Sequence, residues 1–127
     1  MKQGEIMSIT YKQFENCYAK AVSNLQKQWE SEAITYGFIA DSEDDILAYN
    51  RDYFYVALDD ETVVGYVTGE VKTNGKDNYM NVFLANTKYL RVNDLYIAPD
   101  YRNKNIGAEL LNVVEQKAKN NRVKHIF

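Results

Sequence analysis

The sequence is poor in the side chains that most often build metal sites and nucleophilic centres. Among 127 residues there is one cysteine, Cys17, and one histidine, His125. A single cysteine excludes an internal disulfide and the multi-cysteine zinc modules. A single histidine excludes histidine clusters for metals and any catalytic triad that needs a second imidazole. We therefore expect no metal site and look for the chemistry in other residue types.

Glycine and proline are also scarce, and long hydrophobic runs are absent. Six glycines and one proline exclude a collagen-like or low-complexity chain. No stretch approaches the roughly 20 apolar residues of a membrane span, and residues 1–7 lack the apolar core of a signal peptide. Fifteen basic against 18 acidic residues give a net charge of −3, which disfavours sequence-independent nucleic-acid binding. The sequence predicts one globular cytoplasmic domain over residues 1–127, with neither a nucleic acid nor a membrane as partner.

The N-terminal third has the pattern of two amphipathic helices. Thr10 and Gln13 have the spacing of a capping box, which predicts that a helix begins there. Apolar residues then recur at three- and four-residue steps: Phe14, Cys17, Tyr18, Ala21, Leu25 and Trp29. This stripe predicts a helix that covers a core, with Cys17 buried in it. Ser42 and the acids that follow it predict a second, short helix ending near Asn50.

From residue 54 the pattern changes to strands. Residues 54–58 and 62–68 predict an antiparallel hairpin, and Gly65 inside the second strand predicts a bulge or a close backbone approach. Residues 80–84 are a weaker candidate, and residues 89–97 a stronger strand that ends before Pro99. The helical face after residue 106 and the apolar residues 123–127 complete a strand–helix–strand unit with parallel strands. The predicted fold class is α+β, a mixed sheet with an antiparallel hairpin followed by a βαβ unit.

The turn that leads into the last helix has the features of an anion site. Asn103, Asn105 and Gly107 tolerate unusual backbone angles, and the amides at a helix start are free to bind an anion. Arg102 and Lys104 add positive charge. This combination predicts a phosphate or pyrophosphate site, while an ordinary turn with solvated basic residues is the alternative. Neither the P-loop pattern nor the dinucleotide-binding glycine pattern is present.

The same segment resembles a known family. The run RNKNIGA at residues 102–108 is similar to the Gln/Arg-x-x-Gly-x-Gly/Ala signature of the GNAT family of N-acetyltransferases. The preceding LYIAPDY at residues 95–101 matches the lead-in common in that family, and the hairpin around Gly65 is similar to its second and third strands. The resemblance covers residues 53–127. It implies a GNAT-like fold and transfer of an acetyl group from acetyl-CoA to a primary amine.

By this resemblance, two segments hold the co-substrate acetyl-CoA. The backbone around Leu95 would bind the pantetheine arm where this strand splays from the parallel strand around His125. The amides after Arg102 would bind the pyrophosphate. The implied acetyl-CoA residues are Leu95, Tyr96, Ile97, Arg102, Asn103, Lys104, Asn105, Ile106, Gly107 and Ala108.

The sequence departs from the family pattern at two places. Asn105 stands where the signature has its first glycine. The chain stops at Phe127, whereas family members continue with another helix and a strand pair, so the domain is expected to be C-terminally truncated. The tyrosine that commonly acts as general acid in that further helix has no matching position. We also expect the final strand to leave an open edge that a second copy covers, which predicts a homodimer.

Asp94 is the candidate general base, because it directly precedes the segment that would hold the thioester. A structural or solvated acid is the alternative reading of Asp94. An acidic cluster, Asp41, Glu43, Asp44 and Asp45, would favour a cationic small-molecule or peptide amine as acceptor, although helix capping explains the cluster equally well. Three functions remain: an acetyltransferase, a CoA-binding protein without turnover, and a self-associating fragment. We choose the first.

Overall fold

The structure, a computed structural model, describes residues 8–32, 39–73, 88–123 and 125–126. These residues form five strands and three helices, with 3₁₀ turns at Asn16–Tyr18 and Pro99–Tyr101. In chain order the elements are β1 (Ile9–Gln13), α1 (Ala19–Glu32), α2 (Glu43–Leu47), β2 (Tyr55–Asp59), β3 (Thr62–Thr73), β4 (Lys88–Ile97), α3 (Ile106–Asn120) and β5 (His125–Ile126). None of the helices in the described part of the chain is long and apolar enough to cross a membrane.

The strands form one mixed sheet in the order β1-β2-β3-β4-β5. The first three pairings are antiparallel, and β4 pairs with β5 in parallel through α3. The predicted fold class is confirmed: a hairpin of β2 and β3 is followed by a βαβ unit. The candidate strand at 80–84 lies outside the described residues.

The predicted start of the first helix is wrong. Ile9–Gln13 is a strand that pairs antiparallel with β2, and the regular helix begins only at Ala19. Partial burial of Ile9 and Tyr11 alternates with exposed neighbours, which is the period of a half-buried strand. Strand pairing therefore outweighs the local capping signal of Thr10. Cys17, predicted to be buried, lies in the 3₁₀ turn before α1 and is exposed.

Two apolar cores lie on opposite faces of the sheet, because alternate strand side chains point to opposite sides. The core under α1 and α2 consists of Phe14, Ala19, Val22, Leu25, Ile46, Phe54, Val56, Leu58, Val63, Tyr66 and Tyr96. The core under α3 consists of Tyr53, Ala57, Val64, Val67, Leu90, Ile106, Leu110, Val114, Ala118 and Val123. The stacked rings of Phe14 and Phe54, with centroids 4.1 Å apart, attach the chain before α1 to the residue that precedes β2.

The sheet has a bulge at Val64, and Gly65 lies next to it. Ala57 pairs with Gly65 while Leu58 pairs with Val63, so Val64 is the extra residue. A Cβ on Gly65 would lie 2.7 Å from Ile97 Cδ1. A bulge or a close backbone approach was predicted at Gly65: the bulge lies at the neighbouring Val64, and a Cβ on Gly65 would lie 3.1 Å from the Tyr96 carbonyl oxygen. They let the end of β4 lie tightly against β3.

Candidate active site

The second half of β4 has an open edge. On one side it pairs with β3 up to Ile97, whereas the described register of β5 pairs Tyr89 with His125 and Leu90 with Ile126. Beyond that point no strand among the described residues covers β4 on the β5 side. The edge around Leu95 is thus free to accept an extended ligand as an added strand.

The turn after β4 ends in a left-handed residue that starts α3. Asn105 has φ 69°, and Asn103 has φ 63°. The first helical hydrogen bond runs from the Glu109 N–H to the Asn105 carbonyl, so the three amides between them precede the helical ladder. The Asn105 side chain makes no capping bond to them. These amides, together with the positive end of the helix dipole, form the expected anion-binding geometry.

Glycine is not required at position 107 by the backbone. The unusual angles fall on Asn103 and Asn105, while Gly107 lies in the first turn of α3. A Cβ at Gly107 would lie 3.8 Å from Ile97 Cγ1 and 3.9 Å from Leu95 Cδ2, ordinary contact distances. The first turn of α3 therefore lies directly against the open part of β4. The structure brings the two sequence-predicted cofactor segments together.

Arg102 does not face the amides of the turn. Its Nε donates to the Ile97 carbonyl at 2.9 Å, and its Nη2 lies 2.8 Å from Glu32 Oε1 at the end of α1. The guanidinium also lies over the Tyr96 ring, 5.3 Å from its centroid. Its charge is therefore used to connect α1 to the end of β4. Lys104 is exposed in the turn.

The Tyr96 side chain packs in the core under α1. Its ring is buried and stacks on Trp29 at 5.2 Å, and its hydroxyl donates to the Glu32 carboxylate. Burial, followed by the bond to Glu32, raises the pKa of Tyr96 to about 12. Tyr101 donates to Asp59 at 2.6 Å and so holds the turn after β4 to β2. Both hydroxyls are committed to carboxylates of the scaffold.

Asp94 lies beside a second bulge. It pairs with Thr68, while Val92 pairs with Gly69, so Asn93 is the extra residue in β4. A pocket of about 180 Å³ opens here, lined by Tyr49, Asn50, Thr68, Gly69, Glu70, Asn93 and Asp94. Burial is the main cause that raises the pKa of the Asp94 carboxyl, and the Asp41 charge adds to it against a hydrogen bond from Thr68. A half-buried carboxyl with raised pKa is a suitable proton acceptor.

The acidic cluster divides into two parts. The Ser42 hydroxyl accepts from the Asp45 N–H at 3.1 Å, and Glu43, Asp44 and Asp45 form the exposed first turn of α2. Helix capping therefore accounts for these three acids. Asp41 differs, because it is half-buried and its charge acts on Asp94.

Gln26 and Tyr49, which belong to this region, were not identified from the sequence. The Asp41 N–H donates to Gln26 Oε1 at 2.7 Å, Gln26 Nε2 donates to the Tyr49 hydroxyl at 3.0 Å, and that hydroxyl donates to the Asp41 carboxylate. Gln26 is only 1% exposed. A polar residue four positions after Val22 on the buried face of α1 was the available signal. In the described part of the chain, no group of three or more His, Cys, Asp or Glu residues could hold a metal ion.

Comparison with known proteins identifies the family to which this sequence is similar. The profile described as acetyltransferase (GNAT) family matches residues 8–127. A search of curated proteins found no significant match.

Solved structures agree in fold at low sequence identity. The aminoglycoside N-acetyltransferase AAC(6')-Iy in complex with CoA superposes with a TM-score of 0.73 at 14% identity, over 97% of this chain and 77% of that one. An aminoglycoside acetyltransferase from an uncultured soil metagenomic sample has a TM-score of 0.66 at 20% identity, over 94% and 75%. Diaminobutyrate acetyltransferase from Paenibacillus lautus, with its substrate and coenzyme A, has a TM-score of 0.63 at 15% identity, over 85% and 57%. With the family profile spanning nearly the whole sequence, the chain belongs to the acetyltransferase (GNAT) family.

Proposed function

We propose that this protein transfers an acetyl group from acetyl-CoA to a primary amine, with Asp94 as general base. The observation that carries this proposal is the continuity of the site. The edge of β4 that is open beyond Leu90 passes the half-buried Asp94 and runs to Ile97, which lies against the first turn of α3. The proposed base and the proposed anion site therefore lie along one strand edge that is unpaired among the described residues.

At the cofactor end, the chain offers mainly backbone groups. The amides from Asn103 to Ala108 would bind the pyrophosphate, and the backbone of Leu95 to Ile97 would bind the pantetheine arm. Arg102 would support this end indirectly, since its side chain already holds the Ile97 carbonyl and Glu32. Lys104 is exposed beside the turn and would add positive charge near the phosphates.

At the acceptor end, Asp94 would take the proton that the amine loses. The freed nitrogen pair attacks the thioester carbonyl carbon, a C–N bond forms, the C–S bond breaks, and CoA leaves as its thiol after gaining a proton. No side chain becomes acylated, so the scarcity of cysteine and histidine does not oppose this chemistry. Backbone amides near Asp94 would polarise the carbonyl.

The pocket beside Asp94 favours a cationic acceptor. Asp94 lines this pocket and the Asp41 charge acts on it, whereas Glu70, which also lines the pocket, pairs with Lys72 at 3.0 Å. Negative groups around a pocket raise the local concentration of cations. The solved relatives that act on aminoglycosides and diaminobutyrate are similar in fold, which supports a small polyamine-like acceptor here.

A titration and a turnover assay test the proposal. Calorimetry with acetyl-CoA should show one binding site. Titrations with desulfo-CoA and with CoA lacking the 3′-phosphate should show whether the thiol end or the nucleotide end of the cofactor contributes more to the affinity. Thiol release should then rise with cationic amines such as diamines and aminoglycosides, and stay at background with neutral hydroxyl compounds. Binding without thiol release across the whole panel would replace transfer with a CoA-binding role, and absence of binding would reject both.

A further inference from the structure

Three residues next to the pocket of the proposed base Asp94 form a closed hydrogen-bonded ring: Asp41, Gln26 and Tyr49. The ring runs from the Asp41 backbone through the Gln26 amide to the Tyr49 hydroxyl and back to the Asp41 carboxylate. Ser23 adds a contact from its hydroxyl to the Asp41 carbonyl at 3.5 Å. Gln26 uses both ends of its amide and is fully enclosed, so it fixes the position of Asp41 and Tyr49 together.

This ring adjoins the pocket of Asp94. Tyr49 lines that pocket together with Asp94. Its hydroxyl donates a hydrogen bond to Asp41, which is not among the residues that line the pocket. The Tyr66 hydroxyl, fully buried on β3, has no hydrogen-bond partner among the described residues. The charges of both Asp94 and Asp41 raise the pKa of Tyr66, after burial as the main cause. The two carboxylates therefore share one poorly solvated environment.

We propose that Asp41 is a positioning residue for the reaction, held by Gln26 and Tyr49 so that its carboxylate acts through space on Asp94. This inference rests on the proposed role of Asp94 as base. Asp41 does not line the described pocket, and its carboxylate accepts a hydrogen bond from the Tyr49 hydroxyl, so it would act on the acceptor amine only through Asp94.

The groups facing Asp94 leave Asp41 as the dominant charged neighbour. From β3, Thr68 donates a hydrogen bond and Tyr66 is neutral at ordinary pH. Glu70 also lines the pocket, but its carboxylate pairs with Lys72 at 3.0 Å. From the segment around α2, Tyr49 is neutral because burial raises its pKa, and from α1 the uncharged Gln26 contacts Tyr49 and Asp41. A like charge near a carboxylate makes that carboxylate a stronger base.

An NMR titration tests the inference without requiring turnover. Isotopically labelled aspartate carboxyl carbons report the titration of Asp94 in the wild type and in Asp41→Asn. The asparagine oxygen still accepts from Tyr49, so the ring persists while the charge is removed. We expect the Asp94 midpoint to move to lower pH in Asp41→Asn. An unchanged midpoint would overturn the inference.

Kinetics add a readout that a merely structural residue would not change. In Asp41→Asn the acidic limb of the kcat/KM profile should move to lower pH, with a loss of about tenfold at the plateau, since a weaker base remains in place. Asp41→Glu should restore the wild-type limb. A uniform loss at all pH values, with the limb unmoved, would mean that Asp41 only supports the fold.

Asp44→Asn is the matched control, because it makes the same chemical change three residues away on the exposed first turn of α2. It should leave the Asp94 titration and the kinetic limb unchanged. If Asp41→Asn fails to fold, Asp41→Ser, which also removes the charge and keeps a polar side chain, carries the same comparison. Absence of turnover in the wild type would reject the proposed function. The Asp94 titration would still show whether the Asp41 charge acts on the Asp94 carboxyl.

Discussion

The two ends of the candidate site are built in different ways. The cofactor end is one continuous segment, from the edge of β4 through the turn to the first turn of α3, and it presents backbone amides. The acceptor end is assembled from side chains of separate elements: Gln26 on α1, Asp41 and Tyr49 flanking α2, Thr68 on β3 and Asp94 on β4. A continuous backbone site tolerates side-chain changes that do not block it. An assembled side-chain site depends on each member.

Asp94→Asn should have the largest effect. We expect kcat/KM to fall by about 10²–10⁴-fold, the range for loss of a general base, while acetyl-CoA affinity stays unchanged because the contacts proposed for β4 are backbone ones. Steady-state kinetics and calorimetry on the same preparation separate the two quantities. Wild-type rates with an unchanged pH profile would assign proton removal to solvent.

The raised pKa of Asp94 also predicts how the free energy of unfolding of this variant differs from that of the wild type as the pH changes. The pKa of Asp94 is raised in the fold, so the folded state binds a proton more tightly than the unfolded chain. Stability from this group is therefore present at low pH and is lost as the pH rises through the folded pKa. The free energy of unfolding of Asp94→Asn, taken relative to that of the wild type, should therefore be higher at neutral pH than at acidic pH. Urea unfolding of both proteins at both pH values measures this difference.

Gly107→Val is expected to have the next largest effect, at the cofactor end. The added Cβ would already contact Leu95 and Ile97, and the further methyl groups would press β4 away from α3. We expect acetyl-CoA affinity to fall by about tenfold, or ~1.4 kcal/mol. Gly107→Ala, whose Cβ fits at ordinary contact distance, is the matched control and should bind nearly as wild type. Equal affinities for a folded valine variant would reject the site.

Glu32→Gln tests the connection between the two ends. It removes the charge that pairs with Arg102 while keeping an acceptor for the Tyr96 hydroxyl. Since this pair is partly exposed, we expect only a two- to fivefold rise, roughly, in the KM for acetyl-CoA. Glu15→Gln, an exposed change before α1, should leave KM unchanged. A rise confined to the amine KM would instead connect Glu32 with the acceptor end.

Tyr66→Phe should have the smallest effect. Its hydroxyl is buried with no hydrogen-bond partner among the described residues, and burial outweighs the opposing effect of Gln26 on its pKa. Removing an unsatisfied hydroxyl should raise the free energy of unfolding by about 0.5 kcal/mol. Chemical denaturation measures this directly. A loss above about 1 kcal/mol would show that the hydroxyl is hydrogen-bonded after all.

The comparison of the two ends also explains what could be predicted from the sequence. The turn was recognisable because Asn103 and Asn105 are residues that tolerate left-handed backbone angles, and both adopt them. The helix start at Thr10 was wrong because a capping box is a local signal, whereas residues 9–13 are decided by pairing with β2. The role of Arg102 was also not visible, since Glu32 lies 70 positions away in the chain.

Local conformation and periodicity, both properties of neighbouring residues, were set by the sequence alone: the hairpin, the parallel βαβ unit, and the left-handed turn into α3. Only the tertiary structure decided which polar groups meet. It bound Asp41 to Gln26, let the Asp41 charge act on Asp94, paired Arg102 with Glu32, and left Cys17 exposed. The physical reason is that burial and charge coupling depend on distances through space, and the sheet and helices set those distances between residues far apart in the chain.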